Sequence, residues 1–298
     1  MPSLPSFVPG GSGPPFASIF KREIWEIATI GVCPNEIPGL LLLPEDVAAW
    51  KEAKKYAAVL RSGVRYLCCD EIEDPQNILR NCSELVDLFF IPPKDTFPGT
   101  FIDQINSLHN LRRLSTVLGA LLDAPDTLKK AVFSNITHLT LFDNVEGAQG
   151  SWKRWKGLAL LPSLTHLCLN EIVAPSLLHG ALRNCKTLEI LLNQVRFFEM
   201  VQPHTYCKDV GVTDQRYVML KTSERVYEWE LGAGGARGNM WARAAAFIAA
   251  KKRNEKPKLQ FWVDDNAYQY DEPDHYCAPS PSGYGSDSLD DEIRDARR

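Results

Sequence analysis

The sequence has no apolar segment long enough to cross a membrane and no recognisable secretion signal. Its longest apolar run, near Leu40–Leu43, is far shorter than the ~20 residues that a membrane-spanning helix needs. The N-terminus also lacks a basic segment followed by an apolar core. We therefore expect an intracellular protein, cytoplasmic or nuclear, in which most of the eight cysteines are reduced thiols.

A strong excess of one charge sign is also missing. The net charge is -4, which gives no general affinity for nucleic acid or for an anionic membrane. A basic aromatic cluster at residues 152–156 (WKRWK) could stack on bases. The overall charge favours packing or contact with a protein partner instead.

Familiar catalytic motifs are absent: we find no G-x-S-x-G, H-E-x-x-H, P-loop or C-x-x-C. Residues 226–241 could form a strand, a glycine loop and a helix, and ELGAGGA resembles the first motif of methyltransferases. About 60 residues follow Gly238, whereas a nucleotide-type sheet needs several further strand–helix units. We therefore predict no enzyme and no cofactor, and a methyltransferase-like site at residues 232–238 remains a distant alternative.

What the sequence does contain is a repeated L-x-x-L-x-L pattern. The clearest copies begin at Ile136 (ITHLTLFDN) and Leu164 (LTHLCLNEI), and the first has Asn144 at the ninth position of the leucine-rich-repeat template. Further copies begin at Val64, Leu85, Leu111, Leu188 and, more weakly, Gln215. Their spacings of 21 to 28 residues fall within the roughly 20–29 residues of this repeat type.

The repeat predicts which side chains face the core. Strand side chains alternate, so positions 4 and 6 should point inward and positions 3, 5 and 7 outward. One unit cannot bury its apolar side alone, so the units should stack into a curved parallel sheet. The alternative is a set of unrelated buried strands. The predicted inward residues, apolar except Thr116 and Asn193, are Leu67, Cys69, Leu88, Phe90, Leu114, Thr116, Leu139, Leu141, Leu167, Leu169, Leu191, Asn193, Val218 and Leu220.

The segments between the repeats predict short helical returns. Pro75, Pro98, Pro125 and Pro175 open four of them, and proline is favoured in the first turn of a helix. Two returns share the phrase LRNC, which is followed by the next strand.

The L-x-x-C-x-x-L-x-x-L phrase resembles the cysteine-containing leucine-rich repeat of F-box substrate receptors. The resemblance implies that each cysteine packs at the end of the return helix, beneath the next strand. IFKREIWEIA and the segment from IPGLLLLPEDVAAW to AAVL resemble a degenerate F-box. Together with Tyr227, Trp229, Gly232 and the WARAAAFIA helix, the order is similar to F-box-like proteins of mushroom-forming fungi. The resemblance implies a protein-binding receptor that brings a substrate to a ubiquitin ligase through its adaptor subunit. A stand-alone repeat scaffold without a ligase role is the alternative.

The expected fold is α/β: an irregular leucine-rich-repeat solenoid with short parallel strands and a C-terminal capping helix. Residues 1–15 and 266–298 are rich in Pro, Gly and Ser or in Ser, Gly, Tyr and Asp, and we expect them to be disordered. Residues 16–62 should form the F-box-like helices, with one apolar face made by Phe20, Ile24, Trp25, Ile27 and Ala28. Residues 63–265 should form the solenoid.

The predicted binding surface is the concave face, where outward positions are free of core packing. We expect a protein partner there, and neither nucleic acid nor membrane. His138, His166 and Cys168 could together hold a metal, but no fourth ligand is evident and a polar ladder is favoured. The predicted binding residues are Phe89, Ile91, Arg113, Val117, His138, Phe142, His166, Asn170, Ile190 and Leu192.

Several of these outward residues are apolar, so something should cover them. An external partner is one candidate. The other is the chain's own tail, whose late aromatic residues include Phe261, Trp262 and Tyr268.

Overall fold

The computed structural model describes residues 27–30, 40–43, 61, 63–70, 76–92, 101–119, 127–195, 203–221, 228–229, 232–233 and 239–263, and the account below concerns these. They form a mixed α/β structure around one sheet of parallel strands. The strands are β1 Ile27–Ile30, β2 Leu40–Leu43, β3 Tyr66–Asp70, β4 Asp87–Ile91, β5 Arg113–Thr116, β6 His138–Leu141, β7 His166–Asn170, β8 Ile190–Val195 and β9 Tyr217–Lys221. Their order in the sheet is β2-β1-β3-β4-β5-β6-β7-β8-β9.

Short helices connect most neighbouring strands from β3 onward, as parallel pairing requires. They are α1 Gln76–Leu79, α2 Phe101–Asn106, α3 Ala131–Ser134, α4 Trp152–Trp155, α5 Pro175–Asn184 and α6 Pro203–Val210, with 3-10 turns at Thr127–Lys129 and Lys156–Leu160. A longer helix, α7 Met240–Lys252, follows β9. Pro175 occupies the first turn of α5, as predicted.

The predicted strand register is confirmed from β3 to β8. Equivalent positions of successive repeats are paired, so that Leu139 lies opposite Leu167 and His138 opposite His166. The same alignment holds from β3 to β4, from β4 to β5, from β5 to β6 and from β7 to β8. Because register decides which side chains share a face, the two faces of the sheet follow from the sequence pattern here.

The first face of the sheet, which carries positions 4 and 6, packs against the return helices in one apolar core. Leu67, Leu88, Leu139, Leu167 and Leu191 are all 0 % exposed there. The two polar exceptions are buried as well, and the Asn193 amide nitrogen donates to the carbonyl oxygens of Leu169 and Glu171. Both LRNC cysteines, Cys82 and Cys185, belong to this core, as predicted.

The prediction for the last strand is wrong by one residue. β9 pairs Tyr217, and not Val218, with Leu191. Tyr217 and Met219 therefore join the core on the first face, while Val218 and Leu220 lie on the opposite face. Four consecutive apolar residues fit either register, because both faces of this strand are buried.

The predicted helix is contradicted at Ile27–Ile30, and the described residues of this region do not show an F-box-like piece. Ile27–Ile30, including the Ile27 and Ala28 of the predicted helical face, forms strand β1, and Leu40–Leu43 forms β2. Both pair in parallel with the sheet. A four-residue apolar run gives no periodicity that separates a helix from a strand, and Pro38, Gly39 and Pro44 bound the second run. The other residues predicted in this piece, with the exception of Arg61, lie outside the described residues.

The basic aromatic return packs into the fold. Trp155 is 1 % exposed, and its indole nitrogen donates to the carbonyl oxygen of Gln149. Trp152 lies against Gly180 of α5 so closely that an added Cβ would come within 2.2 Å of the ring. The buried Trp155 ring is not free to stack on a nucleic-acid base, and the half-buried Trp152 packs against the core.

Asn144, at the ninth position of the repeat template, lies at the surface. It is exposed, and its side-chain oxygen accepts from the backbone nitrogen of Glu146. The neighbouring Asp143 is buried and accepts from the backbone nitrogens of Leu118 and Gly119.

Candidate functional site

The second face of the sheet carries the residues predicted to bind a partner, and the chain's own C-terminal part covers much of it. Helix α7 packs over Cys168, Ile190 and Leu192 through its apolar residues, among them Ala244 and Phe247. We call residues 228–229, 232–233 and 239–252 the cover. Its earlier part places Trp229 and Ala233 against the second face over β3 and β4.

Burial divides the ten predicted binding residues into two groups. The buried group is Phe89, Val117, Asn170, Ile190 and Leu192. The half-buried group is Ile91, Arg113, His138, Phe142 and His166. The first group cannot contact a partner while the cover is in place, so only the second group lies within a partner's reach.

The tail was one of two candidates for covering this face, and its described residues do so only in part, since Val263 packs against the second-face cluster whereas Phe261 and Trp262 do not. Phe261 packs in the core of the first face, and the backbone nitrogen of Met219 donates to its carbonyl oxygen. Trp262 is bridged in parallel to Met219 at the edge of β9. Tyr268 lies outside the described residues. The helix predicted to cap the repeats does form, but it lies on the second face.

Between the two parts of the cover, a cleft opens onto the second face. Its free volume is about 30 Å³. One water needs roughly 10–15 Å³ on this scale, so the cleft admits only a few non-hydrogen atoms. The polar side chains that line it are Asp87, Arg113, Ser115, His138, Thr140, Gln194 and Glu228, and the aromatic ones are Phe89, Phe142, Trp229 and Trp241.

Asp87 anchors the first part of the cover. Its carboxylate accepts a hydrogen bond of 2.9 Å from the indole nitrogen of Trp229, and Arg113 lies 3.7 Å from the other carboxylate oxygen. Burial raises the pKa of Asp87, while the Trp229 hydrogen bond and the Arg113 charge act in the opposite direction. Asp87 thus lies on strand β4, binds Trp229 of the cover and lines the cleft.

A buried ion pair fixes the second part. Arg243 of α7 donates to the carboxylate of Glu228, and both side chains are almost fully buried, at 4 % and 3 % exposure. Breaking such a pair by removing one partner leaves an uncompensated charge, which is strongly destabilising. The ion pair therefore fixes the position of α7 relative to residue 228 beside the cleft.

A pair of stacked histidines stands beside the cleft, and His138 forms part of its wall. The His138 and His166 rings lie 4.0 Å apart and 14° from parallel, and the edge of Trp241 meets each at 5.3 Å. Each Nδ1 lies within 2.9 Å of the hydroxyl of the preceding threonine. Burial, with the charges of His166 and Arg113, lowers the pKa of His138 to about 3. Burial also lowers the pKa of His166, and Glu189 opposes this shift.

The metal hypothesis gains no support from these two rings. Among the residues that the structure describes, no cluster of three or more His, Cys, Asp or Glu side chains could hold a metal ion. Burial raises the pKa of the Cys168 thiol, which disfavours the thiolate that a metal would need.

The glycine segment also differs from the arrangement that a methyl donor would need. Residues 228–229 and 232–233 are helical, whereas the methyltransferase-like reading placed a strand before the loop. Gly232 is described, whereas Gly234, Gly235 and Gly238 lie outside the described residues.

Within the described part of the chain, no helix is long and apolar enough to cross a bilayer.

Sequence reasoning missed several residues of the cleft. Gln194 stood at an outward strand position but was not selected, because a single glutamine gives no functional signal. Glu228, Trp229 and Trp241 belong to the segments that carried the family resemblance, yet nothing local placed them on the sheet. A comparison of the sequence with known family models found no match, and a search of curated proteins found none either.

Proposed function

We propose that this chain is a protein-binding scaffold of the leucine-rich-repeat type, and that it binds its partner at the cleft on the second face. The observation that carries the proposal is the convergence of half-buried Arg113, Phe142 and Trp241 on one opening. Arginine and aromatic residues around a desolvated pocket are typical of the residues that dominate protein interfaces.

The size of the cleft favours a macromolecular partner over a metabolite. Small-molecule pockets usually enclose about 300–1,000 Å³, and the free volume here is about 30 Å³. A single protruding group of a partner fits such a space, while the rest of the partner would rest on the rim. The partly exposed Ile91 and His166 would contribute to that rim.

The test is capture of interacting proteins from a cell extract by the immobilised full chain, compared with a Phe142→Glu variant. Phe142 lies 5.3 Å from the Phe89 ring at the cleft, so a carboxylate there should reduce capture at least tenfold. Leu160→Glu is the matched control, because Leu160 is 52 % exposed on a return and does not line the cleft.

Equal capture by wild type and Phe142→Glu, with both folded by circular dichroism, would contradict the proposal. Loss of capture by Leu160→Glu alone would move the binding surface to the returns.

A further inference from the structure

One polar side chain at the cleft has an unused donor. Gln194 is 1 % exposed, and its Nε2 has no hydrogen-bond partner among the residues that the structure describes. Its Oε1 accepts from the Cys168 thiol at 3.6 Å, which fixes the amide. A buried amide nitrogen without an acceptor is costly, so an acceptor supplied from outside would be favourable here.

Each carboxylate at the cleft has at least one donor partner. One oxygen of Asp87 accepts from Trp229, and one oxygen of Glu228 accepts from Arg243. The Arg113 side chain is 36 % exposed, and its closest approach to Asp87 is 3.7 Å, longer than a normal hydrogen bond. The Gln194 Nε2 and the Arg113 guanidinium are therefore the two donors of the cleft to which an incoming acceptor can bind.

The local field also favours an anionic acceptor. Met240 and Trp241, the first two residues of α7, line the cleft, and the N-terminal end of a helix carries partial positive charge. The negative charges of Asp87 and Glu228 each face an arginine, Arg113 and Arg243. The neutral histidine pair adds no negative charge.

We infer that the cleft receives a carboxylate of a bound peptide, held by the Gln194 Nε2 and the Arg113 guanidinium beside the first turn of α7. This inference rests on the proposed protein-binding function and names the group of the partner that enters the cleft. A planar guanidinium suits carboxylate geometry, and the small volume admits such a group but little more.

The test uses three tripeptide-sized probes with the full chain: N-acetyl-Gly-Glu-Gly amide, N-acetyl-Gly-Gly with a free C-terminal carboxylate, and N-acetyl-Gly-Gln-Gly amide. Binding is followed by NMR at the Gln194 side-chain amide and the Trp241 indole. We expect saturable shifts with at least one carboxylate probe, and at least tenfold weaker binding of the glutamine probe. The stronger of the two carboxylate probes identifies the source as a side chain or a chain end.

Two variants complete the test. Gln194→Met removes the donor at similar volume, and Arg113→Gln removes the charge at a half-exposed site. Each should weaken the carboxylate probe about tenfold, as expected for loss of one charge-assisted hydrogen bond. Arg112→Gln is the matched control, because Arg112 binds the backbone oxygens of His109 and Leu111 outside the cleft.

Binding of the glutamine probe as tight as that of the stronger carboxylate probe would overturn the inference, as would carboxylate binding that both variants leave unchanged. Failure of the probes while Phe142-dependent protein capture persists would reject the carboxylate alone. Carboxylate binding without any captured protein would support the inference about the cleft chemistry and reject the proposed function.

Discussion

Acidification should destabilise this fold through the stacked histidines, and the effect can be worked out for His138. Its pKa is lowered from 6.5 to about 3 in the folded chain. A depressed folded pKa means that the unfolded chain takes up the proton first as the pH falls. The stabilisation is therefore complete above pH 6.5 and is lost progressively as the pH falls from 6.5 towards 3.

The magnitude follows from the width of that window. Each pKa unit corresponds to about 1.4 kcal/mol. A pH of 5 lies about 1.5 units below the pKa of His138 in the unfolded chain. The free energy of unfolding should therefore be about 2 kcal/mol lower at pH 5 than at pH 7.5. Arg113, Asp87, Glu189 and Glu228 carry charges near the pair or its cover, so the measurement must be a difference between two proteins.

The variant that isolates this contribution is His138→Phe, which keeps a flat ring between His166 and Trp241 but cannot be protonated. Urea unfolding at pH 7.5 and pH 5 gives the free energy of unfolding for both proteins. We expect the loss between these pH values to be about 2 kcal/mol smaller in the variant. His109→Phe, at an exposed position, is the control and should leave the pH dependence unchanged. An equal loss in wild type and His138→Phe, or a His138 NMR signal that titrates near pH 6.5, would refute the reasoning.

Two further predictions concern the core and the N-terminal region. Leu139→Ala should lower the free energy of unfolding by about 2–5 kcal/mol, since Leu139 is fully buried opposite Leu167, while Leu160→Ala should change it by less than about 0.5 kcal/mol. A loss well under about 1 kcal/mol for Leu139→Ala in urea unfolding would contradict the packing of the first face. If residues 16–60 act as an F-box, the ligase adaptor subunit should co-purify with the full chain and be lost in a Phe20→Glu variant. Adaptor binding that survives this substitution in a folded chain would exclude a contact through Phe20.

The sheet could be predicted from the sequence where one apolar stripe alternates with a mixed face. In β6 and β7 the inward leucines alternate with His138, Thr140 and His166, so a register shift would expose the leucines. Alternation fails in β9, where Tyr217 and Val218 begin a run that is buried on both faces. It fails again in β1 and β2, whose four-residue runs also fit a helix.

Only the part of the cleft that lies on the strands could be predicted from the sequence, and the part that comes from the cover could not. Outward positions such as Arg113 and His138 follow from the strand pattern. The residues that cover them arrive from far along the chain: Trp229 donates to Asp87 across 142 positions of sequence. No local pattern encodes such a contact. The burial of Phe89 and Leu192 therefore could not be predicted from the strand pattern, because it depends on the cover.

The central claim is that a protein partner binds at the cleft while the cover remains on the sheet. Hydrogen–deuterium exchange of the full chain, with and without the captured partner, tests this most directly. The account predicts slower exchange at residues 138–142 and 240–244 on binding, with no change at residues 156–160. Faster exchange throughout α7 on binding would mean that the partner displaces the cover, and slower exchange confined to residues 156–160 would place the partner on the returns; either result would contradict the account.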